Sequence, residues 1–480
     1  MTSGAFTRRV AAVLVALVAT LACGCAVGPD YERPKVAAPA GHRFDKVGSA
    51  SSLADLPWWK VFGDEALHAL VTEALSRNFD LAVATARVEE FRSRALAAGA
   101  QLLPNITATG QGSYGNALGG LGAAPQPFWL ANGIGNVSWE IDLFGKLRRG
   151  REAARAQFFA TEEAKRGVWL TVLGDVAQSY FQLLGLDLQR AIAERTVAAR
   201  AHVVDLFRVR SEGGVGTDLD VARAEADLFG ARESLTTIEL QIALTENSIS
   251  LLLGRPPGPI PRTKVATELA APPEVPAGLP SKLLQRRPDV REAEANLVAA
   301  NAQIGVATAN LFPTFSLTGV GGIVTTNLAL ASGGGGTHTS GLYSAGAEVS
   351  WAAPILQGAA LRHLRDAAKA EWRAVRATYV KTVTSAFKDV ADALVSLARL
   401  RERRVNADRQ VAALTRAVDI SRTQFDGGVA TYLDVITAQE LLFPNELSLA
   451  ELEGQQLVAY VQLYRALGGG WWFVEPPEED

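Results

Sequence analysis

Gly213-Gly214-Val215-Gly216-Thr217-Asp218-Leu219-Asp220-Val221 and Gly427-Gly428-Val429-Ala430-Thr431-Tyr432-Leu433-Asp434-Val435 are two versions of one stretch. Paired glycines tolerate positive φ, so each copy can end a helix and turn the chain back. Thr217 and Thr431 suit the N-cap of a following helix. Long, proline-free, alanine-rich segments precede both stretches, from about 145 to 210 and from about 359 to 425. Each stretch therefore reads as the tip of a helical hairpin.

The duplication extends beyond the tips. Asp80 matches Asp289, Leu103-Pro104 matches Phe312-Pro313, Trp139 matches Trp351 and Leu253-Gly254 matches Leu467-Gly468. Their spacings grow only slightly along the chain, so one unit of about 210 residues occurs twice with small loop insertions. The expected division is 64–258 for the first repeat and 279–470 for the second, with an acidic tail at 471–480.

In each repeat the hydrophobic period changes. Residues 65–102 and 288–311 have helical spacing, with Pro288 at a first helical position and Asp289 in the first turn. The period then becomes two. Val137, Trp139, Ile141 and Leu143 alternate with Asn136, Ser138, Glu140 and Asp142, and Val349 and Trp351 alternate with Glu348 and Ser350. Strands are expected at about 104–115, 131–143, 314–324 and 341–352. Segments of about ten residues suit a tilted crossing of a bilayer. Asn136, Ser138 and Glu348 then face a lumen, and Val137, Trp139, Val349 and Trp351 face lipid.

Helices are expected over about 147–211 and 359–425, with returns over 217–253 and 431–467. Val383, Phe387, Val390, Leu394 and Leu397 keep a 4, 3, 4, 3 spacing, as coiled-coil packing requires. Sixty-five residues at the helical rise make a rod of roughly 100 Å. Pro444, and Gly230 at the matching place, should weaken both return helices.

Arg8-Arg9 precede an apolar run from Val10 to Ala22, which reads as a signal peptide over 1–24. Cys25 is the expected lipidation site, with Cys23 as its rival, and residues 25–63 read as an extended tether. Cleavage leaves 45 basic residues against 50 acidic ones, a balance that points away from nucleic acid. No constellation for catalysis, a metal or a cofactor is present: the five histidines (His42, His68, His202, His338, His363) are scattered and no phosphate-binding glycine loop occurs.

Four strands cannot close a barrel, and lipid does not tolerate an open sheet edge. Strand count alone therefore requires a barrel shared by two, three or more protomers. Trp58-Trp59 with Phe62 and Asp64, Arg287-Pro288-Asp289-Val290 with Glu294, Leu311-Phe312-Pro313, and Leu433-Asp434-Val435 with Ala438-Gln439 resemble the TolC-type outer membrane efflux family. More narrowly, they resemble its lipoprotein branch, which serves resistance-nodulation-division pumps.

That resemblance implies a mainly α protein with membrane β-strands. It implies a homotrimer with a shared 12-strand transmembrane barrel and a periplasmic α-barrel. It implies a non-enzymatic exit duct in the outer membrane, working with a periplasmic adaptor protein and an inner-membrane transporter. Residues Gly213, Gly214, Val215, Gly216, Thr217, Gly427, Gly428, Val429, Ala430 and Thr431 would then contact the adaptor. Asp434 would lie at the pore constriction, with Thr437 where some members carry a second acid. Thr217-x-x-Asp220 and Thr431-x-x-Asp434 also resemble capping boxes. An export duct for proteins and a non-conducting structural lipoprotein are the rival functions.

Overall fold

The structure, a computed structural model, describes residues 26–37, 39, 41, 63–117, 126–262, 280–326, 338–352 and 357–469. The signal peptide, Cys23, Cys25, Trp58-Trp59 and the acidic tail lie outside the described residues. The chain divides into two compact units. One comprises residues 1–34, 88–160 and 293–379, and the other 35–87, 161–292 and 380–480.

The first unit holds one antiparallel sheet in the order β1 (Asn105–Ala117), β2 (Gln126–Ile141), β3 (Thr314–Thr326) and β4 (His338–Ala352). The two hairpins, one from each repeat, pair through β2 and β3. β1 and β4 are its outer strands, with no pairing partner on one side among the described residues. Asn105, Ser138, Thr318 and Glu348 lie in one cross-strand row, and Trp139, Leu317 and Val349 in the next. Neighbours in a row share a face, so near the sheet's root the polar and apolar faces separate as the alternation predicts.

The separation fades farther out. Ile134 and Leu130 fall on the face that carries Ser138, and the β3–β4 register shifts between Thr318 and Val320. The strands also run farther than expected. Ala117 still pairs with Gln126, beyond the expected strand limits at 115 and 131.

The second unit contains most of the helical core. Its helices include α1 (Glu65–Arg77) and the start of α2 (Phe79–Ala100). Most of α3 (Lys146–Glu212) and all of α4 (Asp218–Leu252) also belong to it. The seven-residue α5 (Pro280–Arg286) was not anticipated; α6 (Pro288–Ala309) follows it. α7 (Gly358–Asp426) and α8 (Tyr432–Ala466) complete the second hairpin. Leu67, Leu173, Val176, Tyr180, Phe181, Leu253, Tyr460 and Tyr464 are completely or almost completely buried here. Gly185 of α3 and Gly454 of α8 let two helix backbones meet: a Cβ on Gly185 would stand 3.3 Å from the Gly454 Cα.

The helix expected over 65–102 is two helices. Asn78 ends α1 and opens α2: its Oδ1 accepts from the Leu81 N–H at 3.1 Å, and its Nδ2 donates to the Leu252 carbonyl at 2.9 Å. Arg287 stands at the matching place of the second repeat, between α5 and α6. Its Nη1 donates to the Ala466 carbonyl at 3.1 Å. Leu252 and Ala466 are the last residues of the two return helices. Each repeat thus satisfies an orphan carbonyl at a helix end with a side chain from its own helix break. Pro444 does not end α8, which is one helix across it. Buried Phe443 and Ala450 on either side supply packing against the loss of a backbone hydrogen bond. Among the described residues, no helix is long and apolar enough to cross a membrane.

Candidate functional site at the hairpin tips

Both tips form the same helix termination. Gly214 has φ of 72° and Gly428 of 71°, a region that side chains disfavour. At the first tip the Val215 N–H reaches the Arg210 carbonyl at 2.9 Å and the Gly214 N–H the Ser211 carbonyl at 2.9 Å. At the second, Val429 reaches Gln424 at 3.0 Å and Gly428 reaches Phe425 at 2.9 Å. These are paired Schellman bonds, and they satisfy the last carbonyls of α3 and α7. Two residues later the chain re-enters a helix.

The caps use the two halves of one device. Thr217 Oγ1 accepts from the Asp220 N–H at 3.3 Å and donates to the Asp220 carboxylate at 2.7 Å. At the second tip the Asp434 carboxylate reaches back and accepts from the Thr431 N–H at 3.0 Å and the Thr431 hydroxyl at 2.8 Å. Asp434 is thus held as a cap while its side chain stays exposed in the single chain. Val215 and Val429, at the apexes, are 70% and 79% exposed, and Leu219 and Leu433 beside them are open as well.

The tips touch through aromatic rings. Tyr432 opens α8 and lies 4.3 Å from Phe207 of α3 and 5.3 Å from Phe425 of α7, centroid to centroid. Val204, Ala224 and Leu228 complete this small core. Burial pushes the Tyr432 phenol up to about 12, with the nearby Asp227 carboxylate adding to the shift.

Deeper in the hairpin, Arg200 of α3 pairs with Asp227 of α4 at 2.9 Å and also donates to the Asp227 carbonyl at 2.8 Å. Its guanidinium lies 5.1 Å over the Phe443 ring of α8. Both charges are buried. Burial pushes the Asp227 carboxyl up and the Arg200 guanidinium down, against their mutual attraction. The periodicity gave no hint of this pair, because its partners lie 27 residues apart on two helices.

The other expected residues fall as follows. Asn136 and Ser138 share the polar face of β2, and Glu348 pairs with Thr318 in the same row as Ser138. The side chain of Glu348 lies outside the described residues. Asp142, expected on the strand, instead caps α3 by accepting from the Leu147 and Arg148 N–H groups at 3.1 and 2.8 Å.

The profile of the outer membrane efflux protein family matches residues 70–255 and 279–469, one segment in each repeat. The chain belongs to that family. It is 32% identical over 458 residues to the cation efflux system protein CusC of Escherichia coli, covering 95% of this chain and 97% of that one. It is also 32% identical over 476 residues to TtgC of Pseudomonas putida, a probable efflux pump outer membrane protein, covering 95% of each chain. Its fold matches the solved outer-membrane channel OprN with a TM-score of 0.81 at 29% identity, over 93% of this chain and all of the other.

Proposed function

We propose that the protein is the outer membrane exit duct of a tripartite efflux pump and conducts small molecules passively to the exterior. The observation that carries this reading is a four-stranded sheet whose two outer strands are each unpaired on one side among the described residues, attached to duplicated helical hairpins in a chain of the outer membrane efflux family. In lipid those edges must pair with other copies. Three protomers make a 12-strand barrel, and Asn136, Ser138 and Glu348 line its lumen. Cys25 carries the lipid anchor.

The helical hairpins project into the periplasm. Their tips, Gly213–Thr217 and Gly427–Thr431, receive the periplasmic adaptor, which joins the duct to the inner-membrane transporter. The exposed Val215, Leu219, Val429 and Leu433 supply apolar contact area for that adaptor. Asp434 lines the constriction. Its capping bonds fix the carboxylate while leaving it exposed, so three copies place a ring of negative charge at the entrance.

Single-channel recording of the purified protein in planar bilayers tests the reading, with the protomer number measured by native mass spectrometry. A trimer with cation-favouring conductance is expected, and Asp434→Ala is expected to raise conductance and weaken cation preference. A well-folded protein without conductance would return the reading to a structural lipoprotein. Unchanged selectivity in Asp434→Ala would remove the charged ring alone.

A further inference from the structure

The helices that leave the sheet begin with a duplicated basic motif. Leu147-Arg148-Arg149-Gly150-Arg151-Glu152-Ala153-Ala154-Arg155-Ala156-Gln157-Phe158 opens α3, and Leu361-Arg362-His363-Leu364-Arg365-Asp366-Ala367-Ala368-Lys369-Ala370-Glu371-Trp372 opens α7. A basic residue recurs at the same four places, with Arg148, Arg149, Arg151 and Arg155 answered by Arg362, His363, Arg365 and Lys369. Neither helix carries an acid in its first turn. Cations near a helix start oppose the helix dipole, so helix stability does not explain the pattern.

Some of these charges have internal partners. Lys146 meets Glu140 at 3.0 Å, Arg148 meets Asp142 at 3.2 Å, and buried Arg149 bridges Asp30 at 2.7 Å and Glu152 at 2.8 Å. Arg365 meets Asp366 at 2.9 Å. Arg151, Arg155, Arg362 and Lys369 are exposed, and none of them makes an ion pair among the described residues. Arg155 lies 5.4 Å over the Phe159 ring, and Lys369 adds only a weaker field at Asp366.

Direction matters as much as charge. α3 starts five residues after β2 ends, and α7 six residues after β4 ends. Arg151 is about 8 Å and Lys369 about 16 Å along its helix from the start. The Cα–Cβ bonds of a helix tilt toward its N-terminal end, which for α3 and α7 is the sheet end. Long cationic side chains there extend back toward the strands and can place their heads at a lipid interface. The helices that arrive at the sheet differ: residues 95–100 of α2 and 295–309 of α6 hold no charged side chain, and Leu96, Leu103 and Ile106 are exposed. Apolar groups thus sit beside the strand roots, and Arg151 runs alongside Gly99 in the uncharged end of α2, where a Cβ on Gly99 would stand 3.8 Å from the Arg151 Nε.

We infer that Arg151, Arg155, Arg362 and Lys369 form a duplicated collar that binds the phosphates of anionic phospholipid in the periplasmic leaflet of the outer membrane. The inference rests on the reading that the four strands cross that membrane. Anionic headgroups attract clustered lysine and arginine over about a Debye length. The collar would fix the depth and tilt of the duct from its outer side, independently of the acyl anchor.

Native mass spectrometry of the intact lipidated protein in detergent, with added phosphatidylglycerol or phosphatidylethanolamine, tests the collar. Wild-type protein is expected to retain phosphatidylglycerol preferentially. The variant Arg151→Gln, Arg155→Gln, Arg362→Gln, Lys369→Gln should lose retention, on the order of fivefold for each side chain that meets a headgroup. Replacing the three arginines by lysine should keep it, which separates charge from folding. Neutralising Arg399, Arg403, Arg409 and Arg416, lower on α7, should leave it unchanged. Equal loss in this control, or no loss in the collar variant, overturns the inference. Displacement of the lipid by millimolar inorganic phosphate alone would reassign the collar as a free-anion site. Conductance is read on the same samples: conducting variants that retain all their lipid sink the collar but spare the duct, whereas absence of channels in wild-type protein sinks the duct itself.

Discussion

Phe207 and Tyr432 meet with ring centroids 4.3 Å apart, one from the long helix of the first repeat and the other from the return helix of the second. Tyr432 also contacts Phe425, so one side chain joins both tips. At the matching place the first tip has Asp218, which accepts from the Ser211 hydroxyl at 2.9 Å and contributes no ring to this core. The two tips are therefore alike in backbone and unlike in what holds them. Aromatic pairs contribute about 0.5–1.5 kcal/mol each beyond area burial. Tyr432→Ala is expected to loosen the tips and raise basal conductance in planar bilayers, while Tyr432→Phe keeps the rings and matches wild type. Equal conductance in all three proteins would show that the aromatic contact does not hold the tips.

The buried Arg200–Asp227 pair gives a prediction with a built-in control. Breaking one partner of a buried pair leaves an uncompensated charge and costs about 3–5 kcal/mol. Asp227→Asn should accordingly lower the unfolding midpoint of the helical hairpins sharply. Removing both charges with apolar residues of similar size, Arg200→Met with Asp227→Leu, should recover most of that loss. Denaturant unfolding followed by circular dichroism reads both. A double variant as unstable as the single one would mean that the hydrogen bond to the Asp227 carbonyl, not charge compensation, dominates.

The features legible in the sequence were those set by local chemistry. Paired glycines, a threonine cap and an acid three residues on specify a turn without help from distant parts of the chain. Strand alternation was legible near Trp139, where one face is apolar. It was not legible around Gly115–Ala117, where the strand persists because Gln126–Phe128 pairs with it. The break at Asn78 was hidden for a similar reason. Residues 65–102 are helix-permissive throughout; Asn78 caps α2 locally at Leu81, but its amide also donates to a carbonyl 174 residues away at Leu252, which no local pattern announces. The tip aromatics and the Arg200–Asp227 pair are non-local contacts of the same kind. Family membership was legible because its motifs are short and duplicated.

A cluster of carboxylates at the start of α6 sets a pH dependence. Glu163 is buried; its Oε1 accepts from Arg291 at 2.7 Å and from Arg166. Burial pushes the Glu292 carboxyl up, and neighbouring Asp289 and Glu163 raise it further. A carboxyl with a raised folded-state value binds its proton more tightly when folded. Its contribution to stability is therefore present below the unfolded value and is lost as pH rises through the folded one. Glu292→Gln should gain stability relative to wild type at neutral pH, and the gap should close as pH falls toward the ordinary carboxylate range. Thermal melts of both proteins at several pH values provide the check, since titrations common to both cancel in the difference. A gap independent of pH would mean that the fold does not raise the Glu292 carboxyl.

The sheet faces yield the sharpest contrast, because adjacent residues on β2 lie on opposite faces of the sheet. Val137 shares a row with Ile106, and Ser138 shares the next with Asn105 and Thr318. If the apolar face meets lipid, arginine at Val137 costs about 2–4 kcal/mol near the bilayer midplane and less toward an interface. At Ser138 the guanidinium points into water and costs little. Val137→Arg is therefore expected to reduce the assembled oligomer recovered from outer membranes, whereas Ser138→Arg assembles normally and shifts the channel's ion preference toward anions. The two variants carry the same added charge one residue apart, so expression and net charge cannot account for a difference. Equal recovery of both would mean that this part of β2 has water on both faces, and the strands would then not form the wall of a transmembrane barrel at that height.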